Sequence, residues 1–225
     1  MKDITFYFDP ISPFAWLAFE RLPQVLAGSS YRVIYKPVLF AALLKAHGQL
    51  GPAEIPAKRD WTYRHVQWLG HHLGVPLAMP AAHPFNPLPL LRLALACAQP
   101  GSPGACNRWV AAQVLGHVWQ GGGAATSPER LVALRAALLG HMTQRGLEMA
   151  DPEGAAVKQQ LRCNTGDALA QGAFGVPTCV VDGRLFWGLD GLPMLKAYLD
   201  GDAWFDADHW ANAAALPADV QRVPG

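Results

Sequence analysis

Ser12 is the first residue of the chain whose type and position point to chemistry, in the run Asp9-Pro10-Ile11-Ser12-Pro13-Phe14-Ala15-Trp16. Upstream, Ile4, Phe6 and Phe8 alternate with Thr5 and Tyr7, so residues 3 to 8 read as a strand closed by Asp9-Pro10. Downstream, Ser12 is a favourable N-cap, Pro13 suits the first helical position, and Phe14, Leu17 and Leu22 begin an apolar face. The first-turn amides and the positive end of the helix dipole would converge on the Ser12 hydroxyl. A thiolate docked there would sit in a stabilising field, and lowering its pKa by about two units corresponds to about 2.7 kcal/mol. The hydroxyl itself cannot exchange disulfides, and a plain helix cap accounts for Ser12 as well.

A second element lies far along the chain, in Phe174-Gly175-Val176-Pro177-Thr178-Cys179-Val180-Val181-Asp182-Gly183-Arg184-Leu185-Phe186-Trp187-Gly188. A proline opens an apolar run that turns at Asp182-Gly183 and resumes with Leu185-Phe186-Trp187, a hairpin signal. Proline at a strand's first residue loses no needed ladder donor. A hairpin with no chemical role explains this segment too.

Together the two segments resemble the thioredoxin superfamily, in particular its DsbA-like branch. There the reactive residue caps the first helix, and the residue before a cis-proline offers its backbone to a bound thiol or peptide. The Ser-Pro-Phe-Ala-Trp start, the Gly-Val-Pro-Thr element and the Phe-Trp-Gly-Leu-Asp-Gly-Leu run are similar to those of the 2-hydroxychromene-2-carboxylate isomerase family, kin of kappa-class glutathione transferases. The likeness spans residues 3 to 200. It implies an α/β, thioredoxin-like (DsbA-like) fold with an inserted all-helical domain, and glutathione as a regenerated cofactor.

Residue by residue, the resemblance makes Ser12 the catalytic position that holds the glutathione sulfur, Pro177 the cis-proline and Val176 its backbone partner. Trp187, Leu189 and Asp190 would complete the tripeptide site, the last two at its γ-glutamyl end. Asp190 reads equally as a helix N-cap. Lys58 and Asn86 would meet an aromatic carboxylate substrate, with Lys36 and Arg92 as second-choice cations. A solvated lysine and a turn-forming Asn before proline are the plain alternatives. The implied reaction interconverts 2-hydroxychromene-2-carboxylate and trans-o-hydroxybenzylidenepyruvate, a step of naphthalene-type aromatic catabolism. A conjugated double bond rotates once reversible thiolate addition has made it single. A kappa-like glutathione transferase or peroxidase, and a non-catalytic DsbA-like binding module, are the alternatives. The chain departs from the family at Trp61, His65 and Trp68, where tyrosine, aspartate and arginine are expected, and at Gly191, where arginine usually follows the aspartate.

The elements that must position these residues are legible in outline. With 225 residues, 51% hydrophobic and 16% charged, the chain can bury a substantial core. A net charge of +1 argues against nucleic-acid or membrane-surface partners. Residues 1–40 plus 165–205 form the expected thioredoxin-like domain, 41–164 the helical insertion and 206–225 a C-terminal tail that packs at first and frays last. Within the insertion, helical spacing marks Leu90 to Ala98, Trp109 to Trp119, Leu131 to Met142 and Ala155 to Leu161, with a start at Ser127-Pro128, and Leu192 to Leu199 reads as the last helix of the thioredoxin unit. Cys97, Cys106, Cys163 and Cys179 form no Cys-x-x-Cys pair and are expected to be free, with Cys179 packed in a strand. The eight histidines show no metal-binding spacing, so no metal is expected. No secretory signal or spanning segment is evident, which gives the expectation of a soluble cytoplasmic protein. The resemblance adds a homodimer.

Overall fold

The structure, a computed structural model, describes residues 1–206, 209–215 and 217. The alternating amino-terminal segment is β1 (Lys2–Phe8), an inner strand of a four-stranded sheet. It pairs in parallel with β2 (Tyr31–Pro37) and antiparallel with β3 (Thr178–Val181), which pairs in turn with β4 (Arg184–Trp187). Parallel neighbours need a crossover, and α1 (Pro13–Val25) supplies it. Between β3 and β4 the chain turns at Asp182 (φ 50°) and Gly183 (φ 74°). Two left-handed residues match the strand twist in a tight hairpin, and Asp and Gly are among the residues that tolerate that conformation.

Six helices lie between β2 and β3: α2 (Phe40–Ala46), α3 (Pro56–Leu73), α4 (Leu88–Ala96), α5 (Arg108–Trp119), α6 (Pro128–Gln144) and α7 (Ala155–Ala170). After β4 come α8 (Leu192–Leu199) and α9 (His209–Ala214). Side-chain caps set two of the starts. Asn107 accepts the Val110 amide at 2.8 Å, and Ser127 accepts that of Arg130 at 3.4 Å. The helix expected to end near Leu161 runs on to Ala170, straight through position 164. Its polar residues there are held rather than solvated: Asn164 donates from its side-chain amide to the carbonyls of Pro37 (3.0 Å) and Gly104 (2.7 Å). A satisfied buried amide carries the helix across a stretch that composition alone marks as a junction.

The insertion and the sheet share one continuous core. Ile4, Phe6 and Phe8 of β1 and Trp16 and Phe19 of α1 pack in the same cluster as Leu90, Val110, Val114 and Trp119. Both buried indoles find acceptors: Trp16 Nε1 donates to the Pro76 carbonyl (2.9 Å) and Trp119 Nε1 to that of Pro10 (2.8 Å). The second bond ties the insertion to the loop that carries Ser12. Phe205 is buried, and Trp210 packs against the same core as Phe186; the fraying expected at 218 to 225 lies outside the described residues. Among the described residues no helix is long and apolar enough to cross a membrane, and no cluster of His, Cys, Asp and Glu is arranged to hold a metal.

Candidate functional site

Ser12 caps α1 from an extended backbone (φ −91°, ψ 117°). Its hydroxyl accepts the Ala15 amide at 3.2 Å and donates to the Val176 carbonyl at 3.2 Å. Sequence positions 164 apart are thereby joined at the mouth of the first helix. Pro13 has no amide proton to offer, Ala15 and Trp16 amides point to Ser12, and the Phe14 amide finds no acceptor within the protein among the described residues. A free first-turn donor beside the hydroxyl is a place where an anion is stabilised. The Val176–Pro177 peptide is cis, as is His83–Pro84.

A buried carboxylate and a half-buried imidazole fix this loop from behind. Asp9 is fully buried, and its carboxylate accepts the amides of Ile11 (3.0 Å) and Phe40 (2.9 Å). Burial pushes its carboxyl up to about 7, with the two amide bonds acting in the opposite direction. His83 Nε2 lies 2.7 Å from the Ile11 carbonyl and the Tyr63 hydroxyl 2.8 Å from His83 Nδ1. Because a carbonyl only accepts, Nε2 carries the proton, and burial lowers the tendency of the ring to take a second one. The Asp9–Ser12 segment is therefore held by α2's start on one side and the insertion on the other.

Next to Phe14 and Val176 a cleft of about 550 Å³ opens between α1, α3 and the turn before α8. Phe14, Arg21 and Val25 line it from α1, His65, Leu69 and Leu73 from α3, and Val176, Trp187, Leu189, Asp190 and Leu192 from the opposite side. The site residues read from the sequence thus divide. Val176, Trp187, Leu189 and Asp190 line this cleft. Ser12, 7% exposed, and Pro177 are not in the lining and reach it through Val176, whose carbonyl accepts the Ser12 hydroxyl and which forms the cis peptide with Pro177. Trp187 is 47% exposed and packs its ring against Phe174 with centroids 4.9 Å apart. Lys58 and Asn86 are not in the lining. Lys58 is exposed in the first turn of α3, and the exposed Asn86 accepts the Leu88 amide at 3.1 Å, closing a turn before α4. Lys36 pairs with Asp167 and Arg92 with Glu153, away from the cleft. Of the departures on α3, His65 lines the cleft and stacks on Trp61 (5.8 Å), while Trp61 and Trp68 face outward.

Asp190 makes no capping bond; the residue preceding α8 is Gly191. A Cβ at Gly191 would lie 2.4 Å from the Trp187 carbonyl oxygen, a backbone atom that cannot step aside. Gly191→Ala is accordingly expected to lower stability by about 1–2 kcal/mol and to loosen the 187–191 turn, read as a reduced melting temperature and faster amide exchange at Leu189 and Leu192. An unchanged melt would show that the turn opens without cost.

Cys97, Cys106 and Cys179 are buried and Cys163 is exposed. Burial pushes the Cys97 thiol up to about 11 and that of Cys179 up to about 12, so neither is a nucleophile. Cys179 faces Phe6 and Phe186 across the sheet, among the core side chains. Four residues are missed by the sequence reading: Asp9, which reads as punctuation after β1; Arg21; and Leu69 and Leu73 of α3. Asp9 had one available signal, a carboxylate at the end of an apolar strand with no basic neighbour in sequence.

This arrangement can be compared with known proteins. A model described as the DSBA-like thioredoxin domain matches residues 3–200. The chain is 29% identical over 196 residues to the 2-hydroxychromene-2-carboxylate isomerase of Pseudomonas putida, covering 86% of this chain and 92% of that protein. It is 28% identical over 214 residues to glutathione S-transferase kappa 1 of Rattus norvegicus, covering 88% and 90%. A solved 2-hydroxychromene-2-carboxylate isomerase superposes with a TM-score of 0.72 at 25% identity, over 92% of this chain and 98% of that one. With a capped first helix, a cis-proline beside the cap and a match running from β1 through α8, the chain belongs to the DSBA-like thioredoxin domain family and is related to 2-hydroxychromene-2-carboxylate isomerases and kappa-class glutathione transferases.

Proposed function

We propose that the protein is a glutathione-dependent isomerase that interconverts 2-hydroxychromene-2-carboxylate and trans-o-hydroxybenzylidenepyruvate, in naphthalene-type aromatic catabolism. The observation that carries this reading is the bond from the Ser12 hydroxyl to the Val176 carbonyl, at the cis Val176–Pro177 peptide and two residues from the unpartnered Phe14 amide, with Val176 and Phe14 themselves lining a cleft. The donor set fits a thiol tripeptide: a hydroxyl and a helix-start amide for a sulfur anion, a backbone segment for its peptide, and a carboxylate, Asp190, for its ammonium group. When bound, glutathione supplies the nucleophile whose reversible addition turns a conjugated double bond into a rotatable single bond.

The chain's own residues have definite tasks in this scheme. Ser12 keeps accepting the Ala15 amide while its proton turns from the Val176 carbonyl toward the sulfur. That rotation releases the carbonyl for a peptide amide. Phe14 and the helix terminus favour the ionised thiol, and the apolar walls of the cleft exclude water from the reacting atoms. The Cys97 and Cys179 thiols do not compete, because burial holds them protonated, and Cys163 is not in the cleft lining. A homodimer acting in the cytoplasm goes with this reading.

Calorimetric titration with glutathione, followed by an ultraviolet assay on hydroxychromene carboxylate with and without it, tests the proposal. The expected result is binding, and turnover that requires glutathione without consuming it. Turnover independent of glutathione would overturn it. The likeness to glutathione S-transferase kappa 1 favours one other reading, conjugation of an electrophile or reduction of a peroxide. That chemistry consumes glutathione in proportion to product, so a thiol balance separates the two.

A further inference from the structure

We infer that Arg21 of α1 binds the α-carboxylate of the tripeptide's γ-glutamyl end, opposite Asp190, which takes the ammonium group on the same carbon. The inference rests on the reading of the cleft as a glutathione site.

Phe14, Arg21 and Val25 follow one another at helical spacing along the cleft wall. Arg21 lies about 10 Å along the helix axis from Phe14, a gap that a γ-linked glutamyl arm and an arginine side chain span between them. Leu69, Leu73 and Leu192 line the same cleft. Among the described residues Arg21 has no carboxylate partner; its side chain donates to the Gln24 amide oxygen, one turn further on. Asp190 also lines the cleft without an ion partner, and the two do not pair with each other. An unpaired cation and an unpaired anion facing one largely apolar cleft match a head group that carries both signs on one carbon.

The turn before α8 strengthens the assignment. A cation following Asp190 would have to stand at position 191, and there the Trp187 carbonyl occupies the space of any Cβ. The charge must come from another wall, and Arg21 is the arginine in the lining. Its planar fork offers two parallel donors to a carboxylate, leaving others for Gln24.

Calorimetric titrations of wild type, Arg21→Gln and Arg21→Lys with two ligands test this. The ligands are glutathione and its analogue lacking only the γ-glutamyl α-carboxylate. Arg21→Gln is expected to weaken glutathione binding about 10–100-fold, with Arg21→Lys recovering part of the loss. The analogue should bind wild type and Arg21→Gln alike. If Arg21→Gln binds glutathione as wild type does, or loses the analogue as severely as glutathione, the inference is overturned while the glutathione reading stands. If wild type binds no glutathione, that reading falls and the inference with it. A thermal melt equal to that of wild type accompanies the expected result.

Discussion

Ser12→Ala is expected to cut turnover about a hundredfold while leaving the protein folded and able to bind glutathione. Removing one preorganised donor to a developing or docked anion typically costs about 10²–10³ in rate. Here the hydroxyl does two jobs, accepting the Ala15 amide and donating a proton that can reach a docked sulfur. The capping job is worth only about 1 kcal/mol, small against the stability of a chain this size. Folding and activity should therefore separate: a small drop in melting temperature, a large drop in kcat. The bound thiol should also titrate higher, which the ultraviolet absorbance of the thiolate reports directly. Turnover within about threefold of wild type would remove Ser12 from the mechanism and favour a non-catalytic role for the site.

The second large effect concerns Asp9. With its carboxyl pushed up to about 7 from an ordinary value of 3.8, the folded state keeps a proton that the unfolded chain has lost. Stability from this group is fully present below about pH 4 and is lost as pH rises toward 7, by at most about 1.4 kcal/mol per pH unit. Asp9→Asn removes that slope. It also sets a side-chain NH₂ against one of the two backbone amides, of Ile11 or Phe40, that the carboxylate oxygens accept. Leaving such a donor buried and unpaired costs about 1–3 kcal/mol. Denaturant melts from pH 4 to 8 should show the largest gap between wild type and Asp9→Asn at the acid end, narrowing as pH rises. Parallel curves would mean that Asp9 is ionised throughout.

How far the sequence disclosed this molecule depended on whether a signal was local. β1, the cap at Ser12, the Asp182-Gly183 turn and α8 are written in contiguous residues, and each stands where its pattern places it. β2 carries a weaker pattern, because both of its faces are only partly covered, and periodicity alone does not single it out. The pattern of α7 fades after Leu161 because Asn164 and Thr165 look like surface residues, whereas their partners come from Pro37, Gly104, Leu161 and Leu39. At the site, the residues near the cis-proline were legible through motif likeness. The opposite wall was not. Arg21, Leu69 and Leu73 reach the cleft only because α3 packs across α1, a long-range contact that no short motif encodes, and of the α3 residues in the lining His65 alone is singled out by the resemblance.

The distribution of sulfur has a practical corollary. With Cys97, Cys106 and Cys179 sealed in the interior, a maleimide dye or nitroxide tag has a single address, Cys163 on the outer side of α7. That helix contributes nothing to the cleft lining, so native protein can carry the label with its binding pocket untouched. Electron-electron distance spectroscopy on such a sample would then report whether copies associate and at what separation, without a single engineered substitution.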